Sequence, residues 1–251
     1  MKEFNVVIPA RLESTRLPRK VLLDICGQPM IRHVWDRAME SGAATVVVAT
    51  DSAEVAEVAK SFGAAVAMTG ANCASGTDRV AEVSLQRGWS DDAVVINVQG
   101  DAPLVAPASI RQVAQLLFDN PQAAMSTLCV PLADQSEYTD PNVVKVTFSQ
   151  DGKAMYFSRA SIPASGHANG AADESPGWRH LGLYGYRVAA LQAISKAAPC
   201  ELELTEKLEQ LRALWLGYEI RIAVDENPAA PDVDTAADLQ VVEKLLAGRQ
   251  D

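Results

Sequence analysis

An α/β fold, with a mostly parallel central sheet and helices on both faces, is what the sequence predicts. Three observations lead there. Through the first two-thirds of the chain, short Val/Ile/Ala runs alternate with segments of helical period, the rhythm of βαβ units. The clearest run, Ala93–Val98 (AVVINV), is apolar apart from one Asn, as a strand covered on both faces must be. The 251 residues are enough to bury about 70–75% of the unfolded surface, so the core needs no disulfide or metal staple.

Phe4–Ile8 reads as the first buried strand. Pro29 can open a helix in which Met30, Ile31, Val34, Trp35 and Ala38 share one stripe, and Gly42 can close it. Thr45–Ala49 is the next strand, followed by a helix with Val55, Val58, Ala59 and Phe62 inward, then a short strand at Ala64–Met68. Ser75 and Asp78 have capping-box spacing, so a helix should run from Gly76 to about Arg87. After the Ala93–Val98 strand, Ser109–Phe118 is helical, with Ile110, Val113, Leu116 and Leu117 inward, and Met125–Val130 returns to strand.

The middle of the chain changes character. Val143–Phe148 and Lys153–Phe157, separated by SQDG, read as a β-hairpin. Ser161–Trp178 is rich in Gly, Ser, Ala and Pro, a length without regular structure that suggests a lid or binding loop. His180–Arg187 resumes strand character; a helix over Thr205–Leu216 should place Leu208, Leu211 and Trp215 on one side; Glu219–Val224 alternates like a strand. The last helix begins at Thr235, boxed by Asp238, with Leu239, Val242 and Leu245 as its stripe. The organisation expected is a single domain over 1–251, with an insertion at about 131–187 that shares the core or builds a subunit contact.

The formal net charge is −10. A surface of that sign repels nucleic-acid backbones and anionic lipid, so neither is an expected partner. The four cysteines, Cys26, Cys73, Cys129 and Cys200, form no CxxC and read as small buried thiols in a reducing compartment. The start MKEFNVVIPAR turns polar too early for a signal peptide, which leads to a cytoplasmic reading.

Against that acidic background, Ile8–Lys20 (IPARLESTRLPRK) gathers Arg11, Arg16, Arg19 and Lys20 directly after the first strand. Ligands bind at the carboxyl ends of parallel strands in such folds, and guanidinium forks with a lysine suit a polyphosphate. The pattern is neither GxxxxGK[ST] nor GxGxxG, so an ATPase or dinucleotide label has little support. Asp101, in INVQGDAP at the end of the central strand, is placed to hold Mg²⁺, a hard cation that prefers oxygen. Asp234, just before the capping Thr235, is a second carboxylate that would complete such a site if the fold brings them together. A turn-capping Asp and a solvent-facing acid near a helix N-terminus would look the same in sequence. The small-residue turn Ala74–Arg79 (ASGTDR), entering a helix, can approach a base or ribose closely, though an ordinary capped helix fits equally. Arg159, His180, Tyr184, Glu209 and Gln210 form a dispersed polar set. His180 and Tyr184, four apart on a strand, share a face and with Arg159 suit a polyhydroxylated acid. No Ser, Cys or His triad is present.

In their order and density these stretches resemble the 3-deoxy-manno-octulosonate cytidylyltransferase (CMP-Kdo synthetase) family. The resemblance runs through Val6–Lys20, Gly27–Ala38, Val47–Asp51, Ala74–Arg79, Asn97–Pro103, Asn142–Val146, Tyr156–Pro163, Arg179–Arg187, Leu208–Arg212 and Val233–Leu239. It implies a nucleotidyltransferase fold and a cytoplasmic, dimeric, Mg²⁺-dependent enzyme. The implied reaction transfers CMP from CTP to 3-deoxy-D-manno-octulosonate (Kdo) for lipopolysaccharide biosynthesis. By the same resemblance Arg11, Arg16 and Lys20 contact the triphosphate, and the turn with Ala74, Ser75 and Arg79 lines the cytidine pocket. Asp101 and Asp234 ligate Mg²⁺; Gln99, Arg159, His180, Tyr184, Glu209 and Gln210 surround the sugar acid. The chain departs from the family pattern at Arg19, Val21 and Ala102, and Ser165–Gly177 matches only loosely. A cytidylyltransferase for another acidic sugar, or a silent nucleotide-binding protein, are the competing readings.

Overall fold

The computed structural model describes residues 2–14, 17–73, 75–164, 177–227 and 231–248. The first half runs β1 (Asn5–Pro9), a 3₁₀ turn (Lys20–Leu22), a small hairpin of β2 (Asp24–Ile25) and β3 (Gln28–Pro29), and α1 (Met30–Glu40). It continues through β4 (Thr45–Thr50), α2 (Ala53–Ser61), β5 (Ala65–Met68), α3 (Gly76–Gln86), β6 (Val94–Asn97), α4 (Pro107–Asp119) and β7 (Met125–Pro131). The second half adds α5 (Gln135–Thr139), β8 (Lys145–Phe148), β9 (Ala154–Ser158), β10 (Trp178–Arg187) and α6 (Val188–Lys196). It closes with α7 (Glu201–Glu206), α8 (Gln210–Trp215), β11 (Ile220–Val224) and α9 (Ala236–Ala247).

Among the described residues the main sheet is ordered β11-β7-β10-β6-β1-β4-β5, with the β8–β9 hairpin paired to β10. The pairs β1–β4, β1–β6, β4–β5 and β7–β11 are parallel. Strand β10 is the exception, slotting antiparallel between β6 and β7. Alternation along the strands explains the two covered faces. Val6 and Ile8 pack with Ile31 and Val34 of α1 and Ile110, Val113 and Leu117 of α4. Val7, Val47 and Val95 point the other way, toward Val80 and Val83 of α3 and Leu191 and Ile194 of α6. A third cluster, Ile25, Met30, Leu104, Val233, Val242 and Leu246, seats α9 and the segment before it against the β2–β3 hairpin.

The capping boxes at Ser75/Asp78 and Thr235/Asp238 both form. Four sequence expectations are corrected. The helix expected over Thr205–Leu216 is two helices, broken at Lys207, whose φ of 56° ends α7. The restart changes the helical phase: Leu208 and Leu211 are buried, but Trp215 is 62% exposed. In α9 the inward residue of the last turn is Leu246, one position beyond the expected Leu245, because Val242 and Leu246 are four apart on one face. Cys26 is exposed rather than buried, because it sits with φ 50° in the tight β2–β3 turn beside Gly27; all four thiols are free. The loop expected over Ser161–Trp178 lies largely outside the described residues.

The hairpin joins the main core through Val146 and Phe157, and a buried cation ties down its entry. Lys145 is fully buried, its Nζ donating to the carbonyls of Asp140 (2.7 Å), Val143 (2.6 Å) and Arg159 (2.7 Å). Burial first, and the nearby Arg159 charge after it, push its pKa below the ordinary lysine value against the pull of Asp140 and Glu206. Lys145→Met removes the donor and leaves three carbonyls facing an apolar side chain. The expected loss is about 3 kcal/mol, read as a shift in urea-denaturation midpoint; a change within ±0.5 kcal/mol would contradict this reading.

Candidate active site

The site sits at the topological switch point of the sheet. Strand β1 has β4 on one side and β6 on the other, and the crevice outside the carboxyl ends of such strands is where α/β folds take ligands. Two loops leave the sheet there, one after β1 and one after β6, and they press together at Gly100. A Cβ on Gly100 would lie 2.7 Å from the carbonyl oxygen of Pro9, so only glycine lets the turn before Asp101 approach β1 this closely.

The C-terminal segment reaches the same place. Val233 is buried in the third cluster, and its N–H donates to the carbonyl of Asp101 at 2.9 Å. Asp101 and Asp234 then converge on one cation: Lys20 Nζ lies 2.6 Å from Asp101 Oδ2 and 3.0 Å from Asp234 Oδ1. Burial by itself would lower the Lys20 pKa, but the two carboxylates outweigh it and hold the ammonium above its usual value. Arg11 lines the same cleft with Glu13, Ser14, Ser75, Gly76 and Gln99. Arg16 and Ala74 lie outside the described residues.

Asp232 joins this group without having been singled out in the sequence. Its side chain is exposed at the rim of the cavity it shares with Gln99 and Arg179. Chain packed near the carboxyl, and the charges of Asp101 and Asp234, push its pKa up to about 7. The available signal was its spacing, two residues before Asp234 in PDVD.

Gln99 is the hinge of the wider site. It lines the Lys20 cleft, a cavity bounded by Arg179, His180, Leu181 and Asp232, and a groove bounded by Tyr184, Glu209 and Gln210. His180 and Tyr184 stack with ring centroids 5.2 Å apart. Burial pushes the imidazole down to about 3 and the Tyr184 phenol well above its ordinary value. Glu209 accepts from Thr77 Oγ1 at 2.8 Å. Its burial raises the carboxyl pKa against the pull of the Thr77 and Ser75 hydroxyls. Thr77, another residue not singled out, is the second residue of α3 and faces the groove from a turn that the capping box holds.

Two arginines of the sequence reading are held by the protein itself. Arg79 is buried, bonded to Thr69 Oγ1 and, at 2.9 Å, to Asp51 Oδ2, while its side chain still borders the cleft. Arg159 gives its Nε to the Glu206 carbonyl (2.7 Å) and an Nη1 hydrogen to the Pro141 carbonyl (2.9 Å), and it lines neither the cleft, the cavity nor the groove.

Among the described residues no three His, Cys, Asp or Glu side chains form a metal cage. The pair Asp101 and Asp234 nonetheless offers hard oxygen donors facing one cationic centre, a donor set for a cation that draws its remaining ligands from water and phosphate.

A switch-point crevice with a lysine between two carboxylates and an arginine-bearing loop beside it defines a nucleotidyltransferase-type α/β enzyme. The family model described as Cytidylyltransferase matches residues 5–222. The 3-deoxy-manno-octulosonate cytidylyltransferase of Thioalkalivibrio sulfidiphilus (strain HL-EbGR7) is 48% identical over 246 residues, 97% of this chain and 98% of that one. Its counterpart in Francisella philomiragia subsp. philomiragia is 45% identical over 98% of this chain and 99% of its own. A solved structure of CMP:2-keto-3-deoxy-manno-octonic acid synthetase complexed with CTP matches at a TM-score of 0.91 and 38% identity, covering 99% and 100% of the two chains. This chain belongs to the 3-deoxy-manno-octulosonate cytidylyltransferase family.

The Asp232 carboxyl supplies a pH test. Its pKa rises from 3.8 to about 7 on folding, so the folded state holds this proton more tightly than the unfolded chain does. The associated stability is fully present below about pH 4 and is lost as pH rises through about 7. Asp232→Asn keeps the neutral form at every pH. In metal-free buffer the variant's denaturation midpoint should exceed the wild type's by an amount that grows between these limits; a gap independent of pH contradicts the assignment.

Proposed function

We propose that this chain transfers CMP from CTP to Kdo, giving CMP-Kdo and pyrophosphate for lipopolysaccharide biosynthesis. The observation that carries the reading is Lys20 held between Asp101 and Asp234 at a crevice shared, through Gln99, with His180, Tyr184, Glu209 and Gln210.

The anomeric hydroxyl of Kdo attacks the α-phosphorus of CTP in line. The new P–O bond forms as the bond to the bridging oxygen breaks; pyrophosphate leaves with that electron pair, and the hydroxyl proton is released to water. Charge spreads over the phosphate oxygens, so positioning and electrostatics are the main tasks. Lys20 and Arg11 supply positive charge on the triphosphate side, with Arg16 assigned to the same loop. The turn at Ser75 and Gly76, with Arg79 bracing it through Asp51 and Thr69, borders the nucleotide. Gln99, Tyr184, Glu209 and Gln210 offer donors and acceptors to a polyhydroxylated acid. His180, neutral at working pH, acts as a hydrogen-bond partner rather than a proton carrier.

We assign Mg²⁺ to Asp101 and Asp234, since one or two carboxylates plus substrate phosphates suit this ion. When bound, it neutralises phosphate charge and orients the reacting oxygen. We also assign the protein to the cytoplasm; no helix among the described residues is long and apolar enough to cross a membrane. A homodimer is supported by large exposed apolar side chains around the hairpin and the helices beside it: Met155, Leu204, Trp215 and Leu216.

Pyrophosphate release from CTP should require both Kdo and Mg²⁺. Absence of a Kdo-dependent signal at ample enzyme contradicts the function, and turnover with a different acidic sugar alone reassigns the acceptor. Lys20→Ala should lower kcat/KM by roughly 10²–10³, the scale of losing one electrostatic contact to the transition state. In solution the chain should have the mass of a dimer, and Met155→Glu with Trp215→Glu that of a monomer; a monomeric wild type at micromolar concentration rejects the assembly.

A further inference from the structure

The buried hydroxyl of Thr127 sits among three polar atoms. It is 2.9 Å from His180 Nε2, 3.0 Å from the Leu181 carbonyl oxygen and 2.8 Å from the Leu183 carbonyl oxygen. One carbonyl precedes and the other lies within an irregularity in β10: Leu181 pairs with Leu128 and Tyr184 with Thr127, so Gly182 and Leu183 are extra residues on that strand. A hydroxyl has one hydrogen and two lone pairs. If its hydrogen went to the imidazole, its lone pairs would face two carbonyl oxygens at hydrogen-bond distance, with no proton between them. The hydrogen therefore goes to a bulge carbonyl, and Oγ1 accepts from His180 Nε2–H.

That assignment determines the other side of the ring. A neutral imidazole has one N–H, so Nδ1 carries only a lone pair. Nδ1 makes no hydrogen bond among the described residues. It is also not one of their sealed orphan atoms, which are Arg32 Nε, Trp35 Nε1 and Asn97 Oδ1. The ring stands on the face of β10 that carries Tyr184, which lines the groove with Gln99, Glu209 and Gln210, and Nδ1 is the ring atom left for a ligand there. Phe157 and Tyr184 hold the ring from its sides, with centroids 4.9 Å and 5.2 Å away.

We propose that Thr127 is a positioning residue for the acceptor sugar: it locks His180 as the Nε2–H tautomer, so that Nδ1 accepts a hydrogen bond from a sugar hydroxyl. The inference rests on the sugar-site reading above and sharpens it. A bare lone pair attracts a hydroxyl and repels a carboxylate, so the acid group of the sugar must lie elsewhere in the site. Thr127 thus contributes to specificity without touching the substrate. Its hydroxyl also pins the bulge that forms the cavity wall.

The test reads the tautomer directly. The chain has three histidines, His33, His167 and His180, so ¹⁵N-imidazole labelling gives few signals, and His180→Gln assigns the one of interest. The wild type should show a protonated Nε2 and an unprotonated Nδ1 at neutral pH; the opposite tautomer overturns the proposal. Thr127→Val should lose that signature and raise the KM for Kdo about tenfold, with the KM for CTP unchanged. Thr127→Ser, which keeps the hydroxyl, should retain the signature and stay within about twofold of wild type. Equal effects on both substrates, or a Ser variant that loses the tautomer, overturn the proposal even if the Val variant does not fold. A wild type without Kdo-dependent turnover defeats the sugar-site reading instead, while the tautomer still decides the placement of the proton.

Discussion

One ammonium group joins three distant parts of the chain. Lys20 follows the first strand, Asp101 follows the central parallel strand and Asp234 precedes the last helix, yet both carboxylates lie within 3.0 Å of the same nitrogen. Two carboxylates brought this close repel unless a cation lies between them. The cation is therefore a condition for this arrangement, and the rest of the site is organised around it. The apolar cluster under Val233 presses the C-terminal segment into place, and the Val233–Asp101 backbone bond fixes its register. The same concentration of positive charge at a switch-point crevice suits a phosphate chain.

The sheet supplies the location. Its chain order reverses at β1, so the loops after β1 and β6 face one crevice, and Gly100 lets them close against each other. The antiparallel strand β10 then does what a purely parallel sheet would not. Running back between β6 and β7, it brings His180 to the cavity and Tyr184 to the groove that adjoin the crevice at Gln99, while the break at Lys207 starts α8 where Glu209 and Gln210 meet Thr77. The paired hairpin behind β10 is anchored by Lys145.

Much of this was legible in the sequence, for stated physical reasons. The parallel strands are apolar on both faces, and both capping boxes have unmistakable spacing. The basic run between Ile8 and Lys20 is conspicuous in an acidic chain. Other features left no local trace. The antiparallel setting of β10 depends on which strands flank it, and nothing in HLGLYGYR encodes direction. The interruption at Lys207 replaces a helix whose apolar spacing looked continuous, so Trp215 was placed inward when the new phase turns it out. Asp232 and Thr77 acquire meaning only from tertiary neighbours. The arginines show the same limit: positive charge at Arg79 and Arg159 was visible, but not that Asp51, Thr69, Glu206 and Pro141 hold it.

The central claim is that Lys20, Asp101 and Asp234 act as one unit on the triphosphate. A double-mutant cycle with Lys20→Met and Asp234→Asn, read as kcat/KM for CTP at saturating Kdo and Mg²⁺, tests it most directly. Residues that work as a unit lose their effects non-additively, so the double variant should be little worse than the poorer single one. Losses that simply multiply, leaving no coupling between the two positions, would contradict the account.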